Sequence, residues 1–223
     1  MSQKHIIPLF PLPLVVCPDE KLPLHIFEER YKAMIAYCLG TETVENEKGR
    51  GEGIFGVSLA YNNKLYSVGC AVKIEEIVKK YDDGRMDIVT VGLKRYRMLE
   101  LDKESSYIRA EIEYFGDEEA DPADVIQRER AIAMHSRLSE LVKGQPQQDV
   151  FSFNGDVSFK IAHSAGLDVL QKQKILEMTS ENARLQALIA HFEKVIPDIE
   201  KAEEIKRRVL SNGHFKNLRS FDI

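Results

Sequence analysis

Two hydrophobic periods share this chain. Up to about residue 116 the apolar positions mostly alternate in strand fashion around one early helix, and beyond it they recur every three or four residues. The run from Ile6 to Val16 is apolar yet holds prolines at 8, 11 and 13. Each proline lacks an amide donor and has φ fixed, so the run reads as an extended ribbon and not a helix. Pro18-Asp19-Glu20 reads as a turn, after which Leu22-Pro23-Leu24-His25-Ile26 leads into an amphipathic helix expected over Phe27 to Leu39. Phe27, Tyr31, Met34, Ile35 and Cys38 form its apolar stripe, Glu29 and Lys32 lie off it, and Gly40 stands where a left-handed cap is wanted. Residues 41–53 are polar and glycine-rich and read as a mobile loop.

From Ile54 the period is two. Ile54 to Tyr61 and Lys64 to Val78 are expected strands joined at Asn62-Asn63, residues that tolerate positive φ in tight hairpins. Val68, Cys70, Val72 and Ile74 share a face, and the pattern slips at Glu75-Glu76, which predicts a bulge or bend. Asp82-Asp83-Gly84 is a turn into Arg85 to Leu101, apolar on both parities between Met86 and Leu93 as in a doubly covered strand, with Gly92 marking close backbone approach. Tyr107 to Phe115 alternates cleanly: Ile108, Ala110, Ile112 and Tyr114 inward, Arg109, Glu111 and Glu113 outward. Long strands with hairpins and a bulge suit a small, partly closed barrel or a coiled pair of sheets.

Gly116 to Asp121 is an acidic break and the expected boundary between a β-rich unit, 1–116, and a helical unit, 117–223. Asp121 and Pro122 read as the start of a helix running to about Lys143 and closed by Gly144. Residues 145–154 read as an irregular connector, followed by a short helix from Asp156 to about Ala165, stopped by Gly166. Asp168 with Gln171 resembles a capping box for a helix to about Met178. Ser180 then caps a long helix whose apolar positions run from Leu185 to Val209, with Pro197 expected to kink or split it. That stripe reads as intramolecular packing before an intermolecular coiled coil. Lys206-Arg207-Arg208 reads as a complement to the helix dipole before a nucleic-acid or membrane contact. The tail after Gly213 keeps Phe215, Leu218, Phe221 and Ile223, and either docks or frays.

Composition narrows the function classes. The formal charge of -5 argues against a dedicated nucleic-acid binder. Three dispersed cysteines (17, 38, 70) fit reduced thiols in a cytoplasmic protein, and six dispersed histidines show no metal-ligand spacing. The prolines spoil a signal-peptide reading of the apolar start, and no segment has the length of a membrane span. Without a G-x-x-x-x-G-K-[ST] motif the chain has no visible means of using ATP. Gly56-Val57-Ser58-Leu59-Ala60 falls one residue short of a G-x-S-x-G elbow and sits in an expected strand, which assigns Ser58 to packing. Neighbouring carboxylates at 28–29, 82–83 and 118–119 do not face one another as an acid/base pair would. No catalytic, metal-ligating or cofactor-binding set is expected.

Several phrases, in order, resemble the LON substrate-binding domain, which is the N-terminal domain of ATP-dependent Lon proteases and also occurs as stand-alone bacterial proteins. They are Pro8-Leu9-Phe10-Pro11-Leu12; Leu22-Pro23-Leu24; Ile26-Phe27-Glu28 with Arg30-Tyr31; Val68 to Ile74, similar to V-G-T-x-A-x-I; Asp83-Gly84; Val91 to Arg97, similar to G-x-x-R-x-R; Lys172 to Glu177, similar to K-Q-x-L-L-E; and Arg184-Leu185. One departure is Asp19, where the family usually has glycine; Asp tolerates the required positive φ better than most residues. The resemblance implies an α+β fold, a PUA-like β-barrel or coiled-sheet subdomain with one helix followed by a helical bundle with one long helix. It also implies a non-catalytic role in recognising unfolded or exposed apolar segments of proteins, without the ATPase and peptidase domains of Lon. RNA binding, known of PUA-like barrels, is the alternative; hydrolysis by this chain alone is a third reading. Pro23 and His25 are the candidate contacts in a partly open groove. Phe27 and Tyr31 are candidate contacts whose simpler reading is core.

Overall fold

The computed structural model describes residues 4–41, 43–44, 47–48, 51–102, 106–118, 123–145 and 156–216. Eight strands are described: β1 (Lys4–Leu12), β2 (Lys21–Ile26), β3 (Thr43–Val44), β4 (Glu47–Lys48), β5 (Ile54–Tyr61), β6 (Lys64–Lys80), β7 (Met86–Asp102) and β8 (Arg109–Tyr114). The five helices are α1 (Glu29–Cys38), α2 (Val125–Lys143), α3 (Val157–Ala162), α4 (Val169–Glu177) and α5 (Glu181–Lys216). The main sheet runs β2-β7-β6-β5-β1-β8, and β7 pairs again with β8. Five strands therefore close into a barrel. The second half of β7 completes it, while the first half carries β2 on its flank, Lys21 opposite Val91 through Ile26 opposite Met86.

The barrel closes on one aromatic ring. Tyr96 is buried inside with Ile7, Leu9, Ala71, Ala110 and Ile112, and its hydroxyl shares a 2.8 Å hydrogen bond with Ser58. Gly56 and Gly69 make room for it: a Cβ at either position would lie 2.7 or 2.5 Å from the tyrosine oxygen. Ser58 is thus a packing and hydrogen-bonding partner inside the barrel. Outward-facing Phe55, Val57, Cys70 and Val72 join α1 and the helices in one continuous core that runs through Phe159, Leu185 and Phe192.

Local expectations hold at most turns. Asn62 and Asn63 have φ of 51° and 58°, Gly84 closes its turn at 81°, and Asp19 adopts 61° in the place of the family's glycine. The register of β6 against β7 shifts between Ile74 and Glu76, at the expected slip. Gly40 and Gly144 take the left-handed conformation after α1 and α2, and Asp168 with Gln171 forms the capping box of α4.

Other boundaries move. α1 opens at Glu29 behind Glu28, so Phe27 precedes the helix, continues the outward parity of β2 and stands 59% exposed, against the core reading. Thr43–Val44 pairs with Glu47–Lys48 in the stretch read as loop. α2 is capped by Asp124, whose carboxylate accepts from the amides of Ile126 and Gln127; the expected start at Asp121 and Pro122 lies outside the described residues, as do 146–154 of the connector and the tail after Lys216. α5 is not split at Pro197, which lies inside the helix.

Candidate functional site

β2 is an edge strand, paired with β7 alone among the described residues. Its buried face is Leu22, Leu24 and Ile26; Lys21, Pro23 and His25 face solvent, and Phe27 continues that row. The Gly92 amide donates to the Glu20 carbonyl at 2.9 Å, which fixes Lys21 and Val91 as a non-hydrogen-bonded pair. The backbone groups of Lys21, Pro23 and His25 consequently point away from β7, to the free edge. Pro23 offers no donor there, which blunts addition of a further strand and favours contact through side chains.

Those side chains form a cluster. The His25 ring lies 5.9 Å from Phe27 in stacked geometry and 6.0 Å edge-on from Tyr81. His25 Nδ1 is 2.5 Å from Asp87 Oδ1, and the Tyr81 hydroxyl donates to Asp87 Oδ2 at 2.8 Å. Hydrogen bonds from His25 and Tyr81 hold the Asp87 carboxyl below its ordinary range, and acceptance by Asp87 raises Tyr81. Lys79 and Arg85 lie over the Tyr81 ring at 4.4 and 5.0 Å. Val78, 57% exposed, stands at the irregularity of β6 between Ile77 and Lys79. The result is an apolar and aromatic surface bordered by ion-paired groups. Tyr31 is apart from it: its ring is buried, 4.0 Å from Phe10 and beneath the Arg30 guanidinium at 4.5 Å. The structure thus brings Pro23, His25 and Phe27 together and places Tyr31 in the core. Tyr81 and Asp87 were not among the expected residues; only the pairing of β2 with β7 brings them beside His25.

Between the β-body and the helices the structure places an ionic centre. Arg184 Nη1 and Nη2 hold the two Asp117 oxygens at 2.6 and 2.7 Å, and Arg95 Nη2 reaches Oδ1 at 2.6 Å. Arg184 also donates to Glu181, Ser158 and the Met178 carbonyl, with the Phe159 ring 4.3 Å from its guanidinium. Beside it, Gln173 donates to the Val68 carbonyl, and Lys172 to Glu20. Arg95, Lys172, Gln173 and Arg184, four residues of the family-like phrases, therefore join barrel to helices. A depression of about 200 Å³ remains between Pro18–Lys21 and the Phe159 and His163 side of the helices. A larger cavity, about 490 Å³, opens at one end of the barrel.

All three thiols are buried. Burial pushes Cys17 up to about 12 and raises Cys70 further, while Cys38 is buried and donates to the Ile54 carbonyl. Ellman-type titration at pH 8 is expected to find no fast-reacting thiol in the native protein and three in denaturant; a single fast native thiol would contradict this. Among the described residues no group of His, Cys, Asp and Glu could hold a metal ion, and no helix is long and apolar enough to cross a membrane.

Comparison with known proteins places this architecture. Lon protease of Escherichia coli strain K12 is 26% identical over 225 residues, covering 93% of this chain and 27% of that protein. Lon protease 2 of Syntrophobacter fumaroxidans is 22% identical, covering 89% of this chain and 25% of that protein. The chain thus spans about a quarter of the length of these relatives. Among solved structures, a Lon N-terminal domain protein from Xanthomonas campestris superposes with TM-score 0.62 at 22% identity, over 83% of this chain and 98% of that one. The N-terminal domain of Mycobacterium avium complex Lon protease gives 0.57 at 15%, over 86% and 100%. The model of the ATP-dependent protease La (LON) substrate-binding domain matches residues 6–194, and the chain belongs to that family.

Proposed function

We propose that this chain is a non-catalytic recognition module that binds exposed apolar segments of proteins on the outward face of β2. The observation that carries the reading is Phe27, a large aromatic side chain 59% exposed and stacked on His25 beside Pro23 and Tyr81. Aromatic anchors of this kind dominate protein-recognition energetics, and a clustered apolar patch on a soluble domain marks a contact surface. The family match is to a substrate-binding domain alone, in line with the buried thiols and the packing role of Ser58. In the same reading the barrel is PUA-like, residues 1–116 and 117–223 are two subdomains sharing one core, and the three buried reduced cysteines suit the cytoplasm.

The test is titration of reduced, carboxymethylated lactalbumin, which cannot refold, against the wild type and Phe27→Ala. Affinity is expected to fall by about tenfold in the variant, the loss of about 1.4 kcal/mol typical of a truncated anchor, with the melting temperature unchanged because the ring is exposed. Absence of binding by the wild type, or equal affinity of both proteins, would count against the reading.

A further inference from the structure

The cavity at the barrel end is independent of the β2 surface. Every barrel strand contributes to its wall: His5 and Ile7 from β1, Ile54 from β5, Ala71 from β6, Leu93 from β7 and Tyr114 from β8. Ala71, which packs in the barrel core with Tyr96, also lines the cavity, and its methyl group takes up little of the space there. At about 490 Å³ it lies in the range of small-ligand sites, and barrel mouths are a recurrent place for them. The floor is apolar. Asp19, Glu52 and Lys94 supply charge at the solvent-exposed rim, and His5, its ring 5.1 Å from that of Tyr114, is the further titratable group of the lining; among the described residues none of the Asp19, Glu52 and Lys94 side chains makes an ion pair or hydrogen bond. Asp19 is held there by a turn with φ of 61°, strapped to β7 by its amide donating to the Gly92 carbonyl at 2.9 Å.

Two carboxylates and one ammonium above an apolar floor complement a ligand with a cation and an oxygen acceptor next to an apolar side chain. The first residue of a polypeptide has that chemistry. We propose that the barrel mouth binds the free N-terminus of a polypeptide that begins with a large apolar residue. The side chain enters between Ile7, Ile54 and Ala71. The α-ammonium is held by Asp19 and Glu52, and Lys94 Nζ donates to the first peptide carbonyl. Charge-assisted bonds of this type are about twice as strong as neutral ones. The inference adds a second, terminus-specific site to the proposed role in protein recognition, and rests on that role only for the class of ligand.

Calorimetric titration with the pentapeptide Phe-Ala-Ser-Ala-Gly, its N-acetylated form and free phenylalanine tests it. The unblocked peptide is expected to bind, acetylation to weaken it at least about tenfold, and phenylalanine to bind less well than the peptide. Affinity should fall as pH rises through about 8, where an α-amino group loses its proton. In the double variant Asp19→Asn, Glu52→Gln both peptides should bind alike, and Ala71→Leu, which grows into the cavity, should abolish binding while circular dichroism confirms the fold. Equal binding of the free and acetylated peptides to the wild type, phenylalanine binding as tightly as the peptide, or no binding in the millimolar range would overturn the proposal. Lactalbumin binding that is lost in Phe27→Ala but kept in the double variant would leave the β2 reading standing whatever the peptides do.

Discussion

Arg184→Met is expected to cost about 3–5 kcal/mol of folding stability, the usual penalty when one partner of a buried ionic centre is removed. Arg184 is fully buried and engages Asp117, Glu181, Ser158 and the Met178 carbonyl at once. Methionine fills much of the volume but leaves Glu181 buried without its cation and Asp117 with Arg95 alone. With a urea m-value of about 2–3 kcal/mol/M, the midpoint should drop by about 1–2 M. A change below about 1 kcal/mol would mean that the centre is dispensable, as some buried ion pairs are when both partners are replaced together.

The same centre gives the fold an acid limit. Burial alone would raise the Asp117 carboxyl, but hydrogen bonds and charge from Arg184, and then from Arg95, outweigh it and hold the group below its ordinary range. A depressed carboxyl contributes stability that is fully present above the unfolded value of about 3.9 and is lost as pH falls through the folded one. Asp156 is shifted the other way, by burial and by the charge of Glu181. Its ionised form opposes the fold. The low-pH loss of stability should therefore shrink in Arg184→Met, because Asp117 loses the stronger of the two cations that depress it and keeps only Arg95.

What the sequence made legible is local. Alternation placed β5 and β8 to within a residue or two, and the parity slip at Glu75-Glu76 located a real shift of register. Asn62-Asn63, Gly84 and the Asp168–Gln171 box could be read because each answers to its own few residues. The placement of Phe27 on the helical core stripe failed because two periods meet there. The residue satisfies the helical stripe with Tyr31 and the outward parity with Pro23 and His25, and the strand wins because α1 begins two residues later. Arg95 and Arg184 stood in phrases that marked the family, but nothing in either phrase says that the two share Asp117. That contact joins β7 to α5 across 89 positions of chain, and long-range pairing leaves no local signal. The cluster at β2 was half legible for the same reason: Pro23 and His25 could be named, Tyr81 and Asp87 only once β2 lay against β7.

Gly92→Ala should be as damaging as loss of Arg184, by a different route. A Cβ at residue 92 would lie 2.0 Å from the Cys17 carbonyl oxygen, 3.0 Å from its carbon and 3.3 Å from the Pro18 Cα. All three are backbone atoms and cannot swing aside as a side chain would. The turn at 17–20 has to move, and two backbone hydrogen bonds hold it to β7 at this residue: Gly92 donates to the Glu20 carbonyl and accepts from the Asp19 amide, each at 2.9 Å. Overpacking of about 1–3 kcal/mol and two strained hydrogen bonds of about 1 kcal/mol each give an expected loss of about 3–5 kcal/mol. Because the turn delivers β2, the damage should spread to the proposed recognition surface. Gly92→Ala should lose lactalbumin affinity along with stability, whereas Phe27→Ala should lose affinity alone, so urea melts and binding titrations on the two variants separate a defect of scaffold from a defect of contact. A Gly92→Ala protein with a wild-type urea midpoint would show that the turn can retreat at no cost and that the strap to β7 does not position β2.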